Sequence, residues 1–306
     1  MSDGNGHVGI LTFASAPQRV VSLVPSITDS LFALGVGDHL VGVTDFCQPP
    51  EAAAASLARV GGTRDTDVAA VLALDPDLVL ANQEENSLST VEALEERNIK
   101  VWVTFPRSIQ GALDVLWALV RLFRIPDEGA KIRTMEITLD WTRRASEVGQ
   151  PVRIFCPIWH GRTDDGTDWW MTFNRETYAN DVLACCGGAN LFADRRRRYP
   201  LAADLRQATE EDAGGRDTRY PRLAAQELSE SGPEMILLPD EPMTFSEEDE
   251  ALLRRVLAGT PAVEGDRIRR LDGRLLAWHG TMLARALDEL PGILQSAEQT
   301  ASSGSR

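Results

Sequence analysis

The sequence predicts an α/β protein: two Rossmann-like α/β lobes joined by a single long α-helix. Three observations predict it. Short apolar, β-branched runs alternate with helical stretches early and late in the chain, the pattern of parallel sheets covered on both faces. Between these regions the stretch after Arg107 reads as helix alone, closing with Asp127 to Glu147. One motif also occurs twice. Leu74-Asp75-Pro76-Asp77-Leu78-Val79-Leu80 precedes the acidic stretch Asn82 to Glu85, and Ser231-Gly232-Pro233-Glu234-Met235-Ile236-Leu237-Leu238 precedes Pro239-Asp240-Glu241. Both read as helix end, Pro-acid turn, buried strand and acidic loop, so the lobes share one plan.

Val20 to Val24 is the first strand, ended by Pro25-Ser26. Ser26 with Asp29 three residues on reads as an N-cap and capping box for a helix from Ile27 to Leu34, which Gly35 closes. Leu40 to Val43, Asp77 to Ala81 and Val101 to Phe105 are further strands, with helical Val68 to Leu74 and Val91 to Arg97 between them. Ile109 to Phe123 is helical and Pro126 breaks it. Asp127 to Glu147 is then one helix of roughly 30 Å. Its sparse apolar positions, Ile132, Met135 and Leu139, mark a narrow contact stripe. Strand Val152 to Cys156 restarts the alternation. Strand Trp170 to Phe173, helix Tyr178 to Cys185, strand Met235 to Leu238, helix Glu247 to Leu257, strand Ile268 to Leu271 and helix Met282 to Leu290 follow. The expected units are a lobe at 17–124, a backbone helix at 125–149, a lobe at 150–292 and a polar tail at 295–306. Residues 194–219, with Arg195 to Arg198 and two Arg-Tyr-Pro repeats, read as a long surface loop of the second lobe.

The 31 basic residues against 46 acidic ones give a net charge of −15, which argues against nucleic acid as a partner. No apolar run reaches the ~18 residues of a membrane span, so no membrane insertion is expected. The opening Met1-Ser2-Asp3-Gly4-Asn5-Gly6 has neither the basic region nor the apolar core of a secretory leader. As written, the sequence predicts a cytoplasmic address, or a periplasmic or cell-surface one if a leader was trimmed. Cys47, Cys156 and the vicinal pair Cys185-Cys186 lack metal-ligand spacing and read as reduced, mostly buried thiols. There is no phosphate-binding glycine loop, no dinucleotide fingerprint and no nucleophile elbow. Nothing supplies a nucleophile beside the carboxylates of Glu84-Glu85-Asn86, so no enzyme is predicted.

Several segments resemble one family in order along the chain. They are Arg19-Val20-Val21-Ser22-Leu23-Val24-Pro25-Ser26, Val41-Gly42-Val43-Thr44-Asp45-Phe46-Cys47, Val60-Gly61-Gly62-Thr63, Leu74 to Leu80, Cys156-Pro157-Ile158-Trp159 and Gly273-Arg274-Leu275-Leu276-Ala277-Trp278. Together with the linking helix they resemble the class III periplasmic binding proteins, the helical-backbone metal receptors, over residues 17–292. The resemblance implies a metal chelate held in a cleft between two lobes: a corrinoid, a ferric siderophore or haem. It also implies docking to an ABC permease through a surface glutamate on each lobe. At those positions stand Ala69 and Gln226, or Glu227 if the alignment shifts by one, so this partner is implied by family and opposed by the residues.

Open parallel sheets take ligands beyond the carboxyl ends of their strands. In the first lobe that selects Pro25, Ser26, Asp45, Phe46, Glu84, Glu85, Phe105 and Arg107 as ligand-binding candidates. In the second it selects Trp159, His160, Arg175, Tyr220, Asp240, Glu241, Trp278 and His279. Rigid aromatic faces suit a flat, partly apolar macrocycle. Trp170 reads as core by alternation, whereas Trp159 and Trp278, beside His160 and His279, read as a wet edge. His160 or His279 is a candidate axial imidazole for the bound metal, and otherwise a solvated loop hydrogen-bonder. Arg107 and Arg175 can clamp carboxylates or phosphate. The expected function is non-catalytic binding of a metal chelate, a cobalamin-like corrinoid first, by a monomer with no cofactor or resident metal of its own. The alternative is an intracellular enzyme or cofactor-handling chaperone acting on such a chelate.

Overall fold

The computed structural model describes residues 14–295. Met1 to Gly6, which lack the pattern of a leader, and the expected polar tail after residue 295 lie outside the described residues. The chain divides into two compact units. One runs to Ile137 and takes in Trp278–Ala284; the other is Thr138–Ala277 with the chain from Arg285 onward.

The first unit is built on β1 (Val20–Ser22), β2 (Leu40–Val43), β3 (Ala58–Arg59), β4 (Leu78–Asn82) and β5 (Val101–Thr104). They form one wholly parallel sheet in the order β3-β2-β1-β4-β5. The order reverses between β1 and β4, the topological switch point beyond which open parallel sheets take their ligands. The central strands β1 and β4 are buried on both faces, whereas the edge strand β5 leaves Val103 exposed. Val21, Leu23, Val60, Val71, Val79 and Leu94 form one core cluster. Burying each such side chain fully is worth about 1.5–3 kcal/mol.

One start signal differs from expectation. The first helix is Pro25–Ala33, its N-cap is Val24, and no side chain caps it. Proline at the first helical position, with φ already set, replaces the expected Ser26 cap. The Ser26 hydroxyl is buried and has no hydrogen-bond partner among the described residues. Helix Ile109–Phe123 is capped by Ser108, whose side chain accepts from the Gly111 N–H. It is followed by a short 3-10 turn, Pro126–Glu128, and by helix Gly129–Ser146. Ile132, Met135 and Leu139 are its buried stripe, as their spacing predicts.

The second unit has two sheets. β6 (Val152–Phe155), β9 (Gly188–Asn190), β11 (Met235–Pro239) and β12 (Ile268–Leu271) form a parallel sheet in the order β12-β11-β6-β9. β7 (Trp159–Arg162), β8 (Asp168–Met171) and β10 (Arg222–Ala224) form an antiparallel sheet in the order β10-β8-β7. His160, read as a loop residue, therefore lies in a strand, Trp159–Arg162, paired in register with β8. Trp170 is fully buried, in a cluster with Phe155, Leu223, Ile236 and Phe245.

The segment expected as a long surface loop also carries structure. It holds helix Leu201–Asp204 and a bridge between Tyr199 and Glu211. Asp204, fully buried, is ion-paired with Arg195 at 3.1 Å and accepts from Arg222 at 2.9 Å, while Arg195 and Arg206 each reach Glu227 at 2.9 Å. Buried charges survive only when paired, so this cluster pins the segment down.

Candidate functional site

In the first unit the candidates gather on the carboxyl-end loops of the sheet. Pro25 and Ser26 follow β1 and are buried. Asp45 and Phe46 follow β2; both are exposed, and the Phe46 ring is 62% accessible, an unusual state for a phenylalanine. Glu84 and Glu85 follow β4 and are half-buried. Phe105 and Arg107 follow β5, with the Arg107 guanidinium 5.5 Å from the Phe105 ring centroid.

Two asparagines that sequence reasoning passed over shape this edge. Asn86 Oδ1 accepts from the Asn82 N–H at 2.7 Å, and Asn86 Nδ2 donates to the carbonyls of Leu23 at 3.1 Å and Thr63 at 2.9 Å. Asn82 Oδ1 accepts from the Glu84 N–H at 2.8 Å. The Asn-x-x-x-Asn spacing across the strand end was the available signal, since asparagine favours side-chain turns of this kind.

Trp278 and His279 group with the first unit, not with the second as chain order implies. Both are buried rather than at a wet edge. Asn82 Nδ2 lies 3.2 Å from His279 Nε2, so the amide donates and the imidazole accepts. Burial lowers the His279 pKa to about 4, which keeps the ring neutral at pH 7.

In the second unit Trp159 is 45% exposed at the start of β7. Its neighbour His160 lies under cover. Nδ1 is 2.8 Å from an Asp249 oxygen and Nε2 is 3.1 Å from an Asp168 oxygen. The ring stacks on Trp170 with centroids 5.1 Å apart and planes inclined by 15°. With both nitrogens held by carboxylates, neither is open to a metal in this arrangement. Burial pushes the Asp168 carboxyl up, but hydrogen bonds from Arg162 and His160 outweigh it and hold the group below its usual range. Asp249 is lowered in the same sense, burial opposing and hydrogen bonds from Ser246 and His160 prevailing. Neither carboxylate was singled out from the sequence. For Asp249 the signal was the capping box Ser246–Asp249 at the start of helix Glu247–Val256.

Arg175 is exposed and ion-paired with Asp194. Tyr220 is half-buried, its ring 5.3 Å from the Arg219 guanidinium. Asp240 and Glu241 follow β11, and Asp240 accepts from the Gly273 N–H at 2.7 Å. Asp240, Thr244, Arg270 and Asp272 line a cavity of about 310 Å³ at the carboxyl ends of β11 and β12. Among the described residues no cluster of three or more His, Cys, Asp or Glu side chains is arranged to hold a metal ion. The four cysteines are buried free thiols. Among the described residues no helix is long and apolar enough to cross a membrane.

The first parallel sheet thus presents aromatic and charged residues at its carboxyl end, and the second unit presents acidic residues after β11 and an exposed Trp159 on β7; comparison with known proteins assigns that architecture. The sequence profile of the periplasmic binding proteins matches residues 20–108. The vitamin B12-binding protein of Yersinia pseudotuberculosis serotype O:3 is 30% identical over 204 residues, spanning 66% of this chain and 70% of that protein. The chain belongs to the periplasmic binding protein family. Solved structures share its fold. The periplasmic heme-binding protein RhuT from Roseiflexus sp. RS-1 superposes with a TM-score of 0.71 at 22% identity, covering 92% of this chain and 98% of that one. The vitamin B12-binding protein BtuF of Vibrio cholerae gives the same TM-score, identity and coverage. For a periplasmic binding protein of this kind, built from two α/β lobes, the carboxyl-end loops just described are the candidate ligand surface.

Proposed function

We propose that the protein is a non-catalytic binding protein for a metal chelate, with a cobalamin-like corrinoid as the favoured ligand and a ferric siderophore or haem as the other members of the class. The observation that carries this reading is the 30% identity to a vitamin B12-binding protein over 204 residues. The carboxyl-end loops support it, because Phe46 and Trp159 offer rigid aromatic faces where such sheets take ligands. The chelate is cargo and not a cofactor of the protein. Pro25, Ser26, Asp45, Glu84, Glu85, Phe105 and Arg107 are the proposed lining on the first sheet; Arg175, Tyr220, Asp240 and Glu241 join Trp159 on the second.

One observation favours a second reading, in which the chelate is handled by something other than an ABC permease. The positions where docking glutamates are expected hold exposed Ala69 and Gln226. The neighbouring Glu227 is buried in ion pairs with Arg195 and Arg206 and is not available to a partner. Under this reading the protein is an intracellular enzyme or cofactor-handling chaperone.

The visible absorption spectrum of protein purified from its native host tests the ligand class. Corrinoid bands are the expected result; haem or ferric siderophore bands would reassign the cargo. Multiple turnover of any of these chelates would replace the binding reading with the enzymatic one.

A further inference from the structure

We infer that His160 is a positioning residue, a protonated imidazole that locks β7 to helix Glu247–Val256 and thereby fixes the exposed face of Trp159 for its ligand. The role of Trp159 rests on the binding reading above; the lock itself does not. A neutral imidazole has one N–H and one acceptor nitrogen. At His160 both ring nitrogens face carboxylate oxygens, Asp249 Oδ1 at 2.8 Å and Asp168 Oδ1 at 3.1 Å. A lone pair aimed at a carboxylate is repelled, so both contacts persist together only when both nitrogens carry protons and donate.

The charges around the ring balance on the same condition. Asp168 faces it from β8 and Asp249 from helix Glu247–Val256, and Arg162 on β7 donates from Nε to the same Asp168 oxygen at 2.9 Å. With His160 protonated, two cations meet two carboxylates. Without that proton one negative charge is left over among side chains that, Arg162 apart, are largely shielded from water, where it is costly. The fully buried indole of Trp170 lies flat against the imidazole and favours its cationic form. On its backbone side the His160 N–H donates to Met243 Sδ at 3.2 Å. Trp159 is the next residue, paired with Met171 while His160 pairs with Trp170, so displacing His160 displaces the Trp159 face.

The test uses the full chain. Nitrogen-15 spectra of ligand-free protein at pH 7 should show two exchange-protected ring N–H groups on His160. His160→Gln, whose amide presents an oxygen where the imidazole presents its second N–H, should raise amide exchange across Trp159–Arg162 about tenfold. With cyanocobalamin as the probe, affinity should fall about tenfold in that variant. Asp168→Asn removes the demand for the second proton and should keep the strand protected. A single ring N–H at pH 7, or unchanged strand exchange in His160→Gln, overturns the inference. If cyanocobalamin fails to bind the parent, the binding reading loses its favoured ligand, and the ring N–H count and amide exchange still decide the lock.

Discussion

Asn82 Nδ2 and His279 Nε2 lie 3.2 Å apart, joining the carboxyl end of β4 to a residue 197 positions later in the chain. The pairing places a neutral imidazole inside the first unit, and its cost appears in acid. The unfolded His279 takes a proton near pH 6.5, whereas burial lowers the folded value to about 4. The unfolded state therefore binds more protons in that window, and stability falls as pH drops from 6.5 toward 4. The loss at the bottom of the window is on the order of 3 kcal/mol. Urea unfolding at pH 7.5, 6 and 4.5 should show this slope, and His279→Gln should start lower at pH 7.5 and show less of it. A parent curve flat across the range would contradict the burial of the ring.

Asp272 gives the opposite kind of dependence. Hydrogen bonds from Arg274 at 2.7 and 2.8 Å and from Arg285 at 3.0 Å lower its carboxyl to about 2. A depressed carboxylate contributes stability above its unfolded value near 3.9 and loses it as pH falls toward 2. The group is partly solvated, so Asp272→Asn should cost only about 1–2 kcal/mol at pH 7. Thermal melts should show the gap between parent and variant closing at the lower pH.

Asp204 anchors residues 194–222. It is fully buried and also accepts from the backbone N–H groups of Arg198 and Arg222, each at 2.9 Å. Removing it leaves the buried Arg222 without its carboxylate partner, while Arg195 keeps only Glu227, a loss of roughly 3–5 kcal/mol. Asp204→Ala should show this by chemical denaturation, and a change below about 1 kcal/mol would mean that the cluster is solvated in solution.

The permease question has a cellular test. Desolvated ion pairs at interfaces are worth several kcal/mol to the complex, and Ala69 and Gln226 supply no carboxylate. The chain fused to an export signal should therefore fail to restore chelate uptake in a host lacking its own binding protein. Growth rescue by the fusion would return the protein to transport.

The local rules were legible and the long-range ones were not. Helices Ile109–Phe123 and Tyr178–Cys185 and strand Ile268–Leu271 agree residue by residue with the sequence pattern. The two helices have clear caps, Ser108 and Thr177, and Ile268 and Leu271 bracket the strand as its buried ends. β7 and β10 were invisible because Trp-His-Gly-Arg and Arg-Leu-Ala carry no alternation; their pairing with β8 supplies the strand. The site followed the same division. His160 and His279 stood out as residue types, but their partners Asp249 and Asn82 are 89 and 197 positions away, and no spacing rule reaches that far.

Calorimetric titration with cyano-, hydroxo- and adenosyl-cobalamin, haem and a ferric siderophore panel, on the parent and on Trp159→Ala, addresses the binding function most directly. A corrinoid should bind with micromolar or tighter affinity, about −8 kcal/mol or better. Trp159→Ala should weaken it about five- to tenfold, the scale of one aromatic contact. Failure of every chelate to bind the parent below the millimolar range would contradict the assignment of this protein as a chelate-binding member of its family.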